Sequence, residues 1–160
     1  MKSKILYYFI IAPISRLPYP FIYAISDLLY FILYRWIGYR KKVVRQNIER
    51  VFGEQDLQWK RTLEQKFYRH FCDVICETVK QFHITQQDAE QRMKHLNTEV
   101  FKPFAERNQS VIIAGGHMGN WELWGISAPL AIPHEIIGVY KRLSDPFFDK
   151  KMRSSRGKWG

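Results

Sequence analysis

The chain has 160 residues, which is enough for one domain. Its 25 lysines and arginines exceed its 15 aspartates and glutamates, so it should favour anionic surfaces: phospholipid headgroups, nucleic acid or an acidic carrier protein. Aromatic residues make up 16% of the chain, and many lie within residues 1–40 beside Ile and Leu, which favours a bilayer interface. No nucleic-acid recognition motif accompanies the positive charge, so nucleic acid is not an expected partner.

An apolar stretch opens the chain, and five residues interrupt it: Pro13, Arg16, Pro18, Pro20 and Asp27. Of the two segments that remain, residues 5–14 are too short to cross a bilayer, whereas residues 21–37 approach the required length of about 20 residues. A signal peptide is not expected because no small-residue cleavage site follows. We therefore expect residues 1–38 to form a membrane-associated helical segment, which either spans the bilayer or lies at its surface.

A basic stretch follows this segment directly: Arg35, Arg40, Lys41, Lys42, Arg45 and Arg50. If the segment spans the membrane, an excess of cations on this side places residues 39–160 in the cytoplasm. If the segment lies flat, the same cations hold anionic headgroups. Both arrangements predict a cytoplasmic (inner) membrane location with membrane lipid as a partner. The alternative is a buried helix of a soluble domain, in which Arg16 and Asp27 would have to be paired.

Helix signals dominate residues 39–108. Apolar residues recur at helical spacing up to Gly53, and Asp56 is a good N-cap for a long helix after it. Thr85 and Asp88 resemble a capping box, and Thr98 opens a further helix that ends near Asn108.

Two cysteines, Cys72 and Cys76, lie one turn apart on the predicted long helix. No other cysteine or closely spaced pair of histidines completes a metal site with them, so they are predicted to be reduced core residues and no metal is expected.

The segment after residue 110 contains the strongest strand signal. Val111-Ile112-Ile113-Ala114 is a β-branched apolar run that ends at Gly115-Gly116, which is typical of a buried strand followed by a turn. Asn120 is a good N-cap for a helix over residues 121–130. A second apolar run over residues 136–140 completes a predicted βαβ unit over residues 111–141. The expected fold class is therefore α/β: an N-terminal membrane-associated helix and a helical region, followed by one βαβ unit of an incomplete, mainly parallel sheet.

His117 and Glu122 flank the start of the predicted helix. On one continuous helix they would lie about 140° apart and could not meet, but a turn between them lets the carboxylate fold back to the imidazole. Glu122 could then orient His117 as a general base, while backbone N–H groups at the helix start hold a developing anion. The alternative is that His117 only hydrogen-bonds backbone and Glu122 only favours the helix N-terminus.

The run Gly116-His117-Met118-Gly119-Asn120-Trp121-Glu122 resembles the motif of the lipid A biosynthesis lauroyl and myristoyl acyltransferases, in the lysophospholipid acyltransferase superfamily. Further likeness lies in short runs on both sides of the motif: Gly38-Tyr39-Arg40, Phe67-Tyr68-Arg69-His70, Val139-Tyr140-Lys141 and Asp145-Pro146. The resemblance thus extends along nearly the whole chain.

The resemblance implies transfer of a fatty acyl group from an acyl-carrier-protein or coenzyme A thioester to a hydroxyl of a lipid A precursor or related glycolipid. His117 would be the general base and Glu122 its orienting acid, without a further cofactor. Gly119, Asn120 and Arg156 are the implied substrate-binding residues, with Arg153 as an alternative to Arg156. The implied partners are membrane lipid, acyl carrier protein and the glycolipid acceptor.

The chain ends shortly after the second predicted strand, whereas a parallel sheet needs more strands and cover on both faces. We therefore expect residues 39–160 to be the N-terminal part of a truncated acyltransferase domain. The competing hypotheses are an inactive truncated acyltransferase and a non-catalytic, membrane-bound interaction domain in which His117 is structural.

Overall fold

The computed structural model describes residues 2–160, which form two compact units. The three-helix unit comprises Leu17–Glu77, and the motif unit comprises residues 2–16 together with Thr78–Gly160.

Helices make up both units, and their bounds in chain order are as follows. The first is α1 (Lys2–Leu6), which continues through a π-helical segment (Tyr7–Ile11) into α2 (Ala12–Arg16). Next is α3 (Tyr19–Tyr30), which has a π-helical continuation (Phe31–Ile37). The remaining helices are α4 (Lys41–Val51), α5 (Leu57–Lys80), α6 (Gln86–Arg92), α7 (Lys102–Glu106), α8 (Trp121–Ser127) and α9 (Pro146–Arg156). Short 3-10 turns cover Gln81–His83, Thr98–Phe101 and Ala128–Leu130.

The three-helix unit contains α3, α4 and most of α5. The π-helical end of α3 stops at Gly38, whose φ of +65° is the left-handed conformation that glycine adopts at low cost, and the N–H of Tyr39 then closes the turn on Leu33 O at 2.9 Å. Asp56 begins α5 as the sequence predicts, because its carboxylate accepts from the N–H of Trp59 at 2.8 Å. The helix signals of residues 39–56 are thus confirmed.

Helical periodicity predicts that the apolar residues of α5 form one buried face, but the structure buries only part of it: Val74 is buried and Leu57 is exposed. The predicted face comprises Leu57, Leu63, Phe67, Phe71, Val74, Ile75 and Val79. Tyr68, Cys72 and Cys76 are buried, and Glu64 continues this line one turn earlier, whereas Phe67 is exposed. Tyr68 of this line packs against Tyr34 at the end of α3, and Glu64 pairs with Arg45 of α4. Sequence reasoning missed Glu64 because a charged residue is rarely buried without a partner.

The motif unit has its core beneath α8. Ile84, Ala89, Leu123 and Ile126 form the buried cluster, and Met93 and Trp159 pack against it. Thr85 begins α6 by accepting from the N–H of Asp88 at 3.1 Å, which confirms the predicted cap. The predicted helix from Thr98 is also present, as a 3-10 turn that runs into α7, and Asn108 follows it with a φ of +52°.

The predicted βαβ unit and parallel sheet are wrong: within residues 2–160 the structure is mainly helical and contains no strand. Both apolar runs expected to be buried strands face outward, with Ile112 95% and Val139 98% exposed. The physical reason is that a strand is stable only when a neighbouring strand pairs its N–H and C=O groups, and the described residues supply none. Only the helix between the two runs forms as expected.

One helix, Tyr19–Ile37, is long and apolar enough to cross a membrane by length and composition, with a mean hydropathy of 1.2 and 17% of its most apolar window buried. It corresponds closely to the predicted segment over residues 21–37.

Candidate functional site

The loop before α8 carries the histidine of the motif. Gly119 adopts a φ of +56°, which a side chain would disfavour, and this residue turns the chain into the helix. Asn120 then caps α8, because its Oδ1 accepts from the N–H of Leu123 at 2.9 Å. The predicted loop-to-helix turn between His117 and Glu122 is therefore present.

His117 is exposed on this loop. Its ring contacts the indole of Trp121, with ring centroids 4.9 Å apart and planes tilted by 58°. Among residues 2–160 the structure records no hydrogen bond between His117 and Glu122, so the pairing expected from the motif stays a prediction.

Glu122 occupies the first turn of α8, where the helix dipole favours a negative charge. Its carboxylate instead accepts two hydrogen bonds from Arg156, one from Nε to Oε2 at 3.0 Å and one from Nη2 to Oε1 at 2.6 Å. The side chain of Glu122 is 16% exposed and that of Arg156 34%, so the pair is only partly open to water. Such a two-point contact is stronger than a single neutral hydrogen bond and also fixes the orientation of the carboxylate.

Arg156 therefore lies beside the motif, although it is distant from it in sequence. Its guanidinium also lies 5.1 Å from the centre of the Tyr140 ring. Sequence reasoning placed Arg156 near a substrate and Glu122 near His117, whereas the structure brings Arg156 and Glu122 together. The resemblance implied a role for Arg156 at the substrate but not this contact, and no local spacing links residues 122 and 156.

Helix α9 positions Arg156 near its C-terminal end. Asp145 caps this helix by accepting from the N–H of Phe148 at 2.9 Å, and it also accepts from the hydroxyl of Ser3. The Ser3 hydroxyl and then the Phe148 N–H lower the pKa of the Asp145 carboxyl. Asp149, buried on the same helix, accepts from the N–H of Leu143 at 3.0 Å and so ties the preceding loop to α9.

Arg153, the alternative to Arg156, is exposed on α9. Gly119 is also exposed, whereas the side-chain oxygen of Asn120 is used as a helix cap. Of the predicted substrate-binding residues, Arg156 is the one that forms an ion pair with the acid of the motif within residues 2–160.

Metal-ligating residues do not cluster: residues 2–160 contain no group of three or more His, Cys, Asp or Glu side chains that could hold a metal ion. Cys72 and Cys76 are buried and unpaired by a disulfide, as the sequence predicts. Burial raises the pKa of each thiol to about 11, which keeps both protonated at neutral pH.

Comparison with known proteins gives one family. No curated protein and no solved structure matches the chain. The family model for bacterial lipid A biosynthesis acyltransferases matches residues 2–160, which confirms the resemblance seen in the motif. The chain belongs to the bacterial lipid A biosynthesis acyltransferase family.

Proposed function

We propose that the protein transfers a fatty acyl group from an acyl-carrier-protein or coenzyme A thioester to a hydroxyl of a lipid A precursor or related glycolipid, at the cytoplasmic face of the inner membrane. The observation that carries the proposal is the placement of His117 on the loop that enters α8 and of Glu122 in the first turn of α8, in a chain matched by the family over residues 2–160. A base and an acid at one helix start suit acyl transfer to a hydroxyl.

His117 is the general base in this proposal. Its neutral imidazole takes the proton of the acceptor hydroxyl, and the resulting alkoxide attacks the thioester carbonyl carbon. The tetrahedral intermediate then collapses, the carbon–sulfur bond breaks, and the departing thiolate takes the proton back from His117. Because the alkoxide attacks directly, no acyl group is attached to the protein.

Glu122 is a positioning residue rather than a group that touches the acceptor. A carboxylate offers about four lone-pair positions, so the two hydrogen bonds from Arg156 leave room for the N–H of His117. Arg156 thus fixes the carboxylate, and the carboxylate orients the imidazole once His117 turns toward it. The positive charge of Arg156 beside the site also suits a phosphate or a developing oxyanion on the substrate.

The test is an acyl-transfer assay with the purified chain, a glycolipid that has a free hydroxyl, and labelled acyl-carrier-protein and acyl-coenzyme A in separate reactions. His117→Ala is expected to lower the rate by at least about 100-fold, because a general base contributes about 10²–10⁴ in rate. His70→Ala, which removes an exposed histidine on α5, is the matched control and should retain the wild-type rate.

Glu122→Gln separates a positioning role from a structural one. It should lower kcat more than it raises KM and shift the pH dependence of the rate, while circular dichroism shows an intact fold. A wild-type chain that transfers no acyl group from either donor, or a fully active His117→Ala variant, would overturn the proposed function.

A further inference from the structure

Within the three-helix unit, α3 has a polar side that contacts α5. The hydroxyl of Tyr23 donates to Glu77 Oε1 at 2.6 Å, and the hydroxyl of Ser26 donates to Asp73 Oδ1 at 2.6 Å. These contacts advance along α3 as they go back along α5, so the two helices run antiparallel.

The same side continues toward the C-terminal end of α3. The guanidinium of Arg69 lies 5.1 Å from the centre of the Tyr30 ring, and the rings of Tyr34 and Tyr68 are 5.0 Å apart. From residue 23 to residue 34 the contacts extend over roughly 16 Å of helix. The polar side of α3 is thus engaged along most of its length.

The opposite side of α3 is apolar and exposed. Phe21, Ala24, Leu28 and Phe31 are exposed and fall within an arc of about 80° on the helix. Asp27, which is exposed, lies just outside this arc, about 40° from Phe31 at its edge and about 40° from Tyr23 on the engaged side. Asp27 therefore interrupts the apolar sequence but does not lie within the apolar face of the helix.

These contacts do not fit a helix that crosses the bilayer. A spanning α3 would carry its partner helix to the same depth. The segment of α5 beside it contains five Asp, Glu, Lys or Arg side chains: Glu64, Lys66, Arg69, Asp73 and Glu77. Charged side chains at the centre of a bilayer are costly and rare. Spanning would thus require α3 to leave α5 and give up all of the contacts above.

The surroundings of the apolar face favour a lipid surface as its occupant. Trp36, which is 75% exposed, lies at the end of the helix, and aromatic rings of this kind are enriched at membrane interfaces. Arg35, Arg40 and Lys42 are exposed directly after the face and complement anionic headgroups. Apolar residues beside cations are the pattern of a helix that lies in the interface plane.

We propose that α3 and its π-helical continuation lie flat in the surface of an anionic bilayer, with Phe21, Leu28 and Phe31 in the lipid and α5 on the aqueous side. The protein is then a monotopic membrane protein through this unit. The inference concerns an attachment surface and does not depend on the chemistry of His117.

A depth measurement tests the geometry. Spin labels are attached to Phe21→Cys, Leu28→Cys and Trp36→Cys in three separate full-length chains on vesicles of phosphatidylcholine and phosphatidylglycerol, and collision with lipid-soluble oxygen is compared with collision with a water-soluble nickel complex. A flat helix gives three similar, shallow depths. A spanning helix gives a deep label at residue 28 between two shallow ones, and this result would overturn the proposal.

The wild-type chain, labelled in parallel, measures the background from Cys72 and Cys76. This background should be low because both thiols are buried and their pKa is raised to about 11. Labels that stay fully accessible to nickel in the presence of vesicles would also overturn the proposal, as would self-association through α3 that keeps the labels out of the lipid.

Substitution tests the surface independently. Leu28→Glu should weaken vesicle binding by about 10-fold in a sedimentation assay, because it places a charge in the apolar face. Leu57→Glu is the matched control: Leu57 is 64% exposed and Leu28 59%, but Leu57 begins α5, away from the face. Equal binding by both variants would contradict the proposed surface.

Discussion

The two apolar runs at residues 111–114 and 136–140 carry no charged residue and helix α5 carries several, yet α5 is the element whose side chains are buried. Along α5, Tyr68 and Cys72 are buried, whereas Ile112 and Val139 in the runs are almost fully exposed. The difference is where the backbone finds its hydrogen bonds. A helix satisfies its N–H and C=O groups within itself, but a strand depends on another segment of chain.

The largest expected difference in stability is between two substitutions by alanine, one on α5 and one in the first apolar run. Tyr68→Ala should lower the free energy of unfolding by about 3 kcal/mol, because a large buried aromatic side chain is lost. Ile112→Ala should change it by less than about 0.5 kcal/mol, because an exposed side chain loses little. Urea denaturation followed by circular dichroism measures both. A loss above about 2 kcal/mol for Ile112→Ala would show that its run is buried in solution.

The next test concerns the buried acid on α5. Arg45 Nε donates to Glu64 Oε2 at 2.9 Å, and the side chain of Glu64 is only 3% exposed. Arg45→Ala leaves that carboxylate without its cation and should lower the free energy of unfolding by about 1–2 kcal/mol. The effect is smaller than for a fully buried ion pair, because the side chain of Arg45 is exposed to water.

Lys60→Ala is the control for Arg45→Ala, since Lys60 pairs with Glu49, whose side chain is 66% exposed. The Lys60 side chain is 15% exposed, but a pair whose carboxylate is open to water is worth less than about 1 kcal/mol. An Arg45 variant no less stable than the Lys60 variant would mean that burial of Glu64 does not strengthen its ion pair.

A smaller effect on the free energy of unfolding is expected at the N-terminus of α8. Asn120→Ala removes the hydrogen bond to the N–H of Leu123 and should lower the free energy of unfolding by about 1 kcal/mol. Asn47→Ala, at an exposed position within α4, should be nearly neutral. Thermal unfolding compares the two, and equal melting temperatures would exclude a capping role for Asn120.

The smallest effect is a pH dependence in the motif unit. His83 Nδ1 lies 2.6 Å from the hydroxyl of Ser15, and burial, followed by the charge of Arg16, lowers the pKa of His83. A histidine with a lowered pKa in the folded state binds fewer protons than in the unfolded state, so its contribution is present above pH 6.5 and lost as the pH falls.

The stability of the chain should therefore decrease between about pH 7 and pH 5, and His83→Asn should flatten this slope. His70→Asn, at an exposed position, is the control. Denaturant unfolding at several pH values gives the slopes, and an unchanged slope in His83→Asn would assign the dependence to other groups, His95 among them, whose pKa is also lowered by burial.

The sequence could predict the features that depend on local hydrogen bonds, but not those that depend on a distant segment of the chain. The caps at Asp56, Thr85 and Asn120 are local, so residue type and spacing suffice to predict them, and the structure confirms all three. The strands depend on partners, and their prediction is wrong. Glu64 on the buried side of α5 could not be predicted, because its position depends on where Arg45 lies in the unit.

The candidate site shows the same limit. His117 and Glu122 were predictable as a motif because they lie in one short run, and the turn between them is local. The bidentate contact between Glu122 and Arg156 joins distant parts of the chain, so periodicity and capping rules give no access to it. The roles of the three residues in acyl transfer stay a prediction for the assays above.

The cap at Asp145 has a consequence for how the motif unit is assembled. Asp145 accepts from Ser3 near one end of the chain, and α9, which it begins, carries Arg156 to Glu122. The acid of the motif is thus held by contacts of very high sequence separation, which form late because closing long loops costs entropy. During synthesis on the ribosome, the Glu122 carboxylate can be fixed only after Arg156 has emerged, and the core beneath α8 is completed only after Trp159 has followed it.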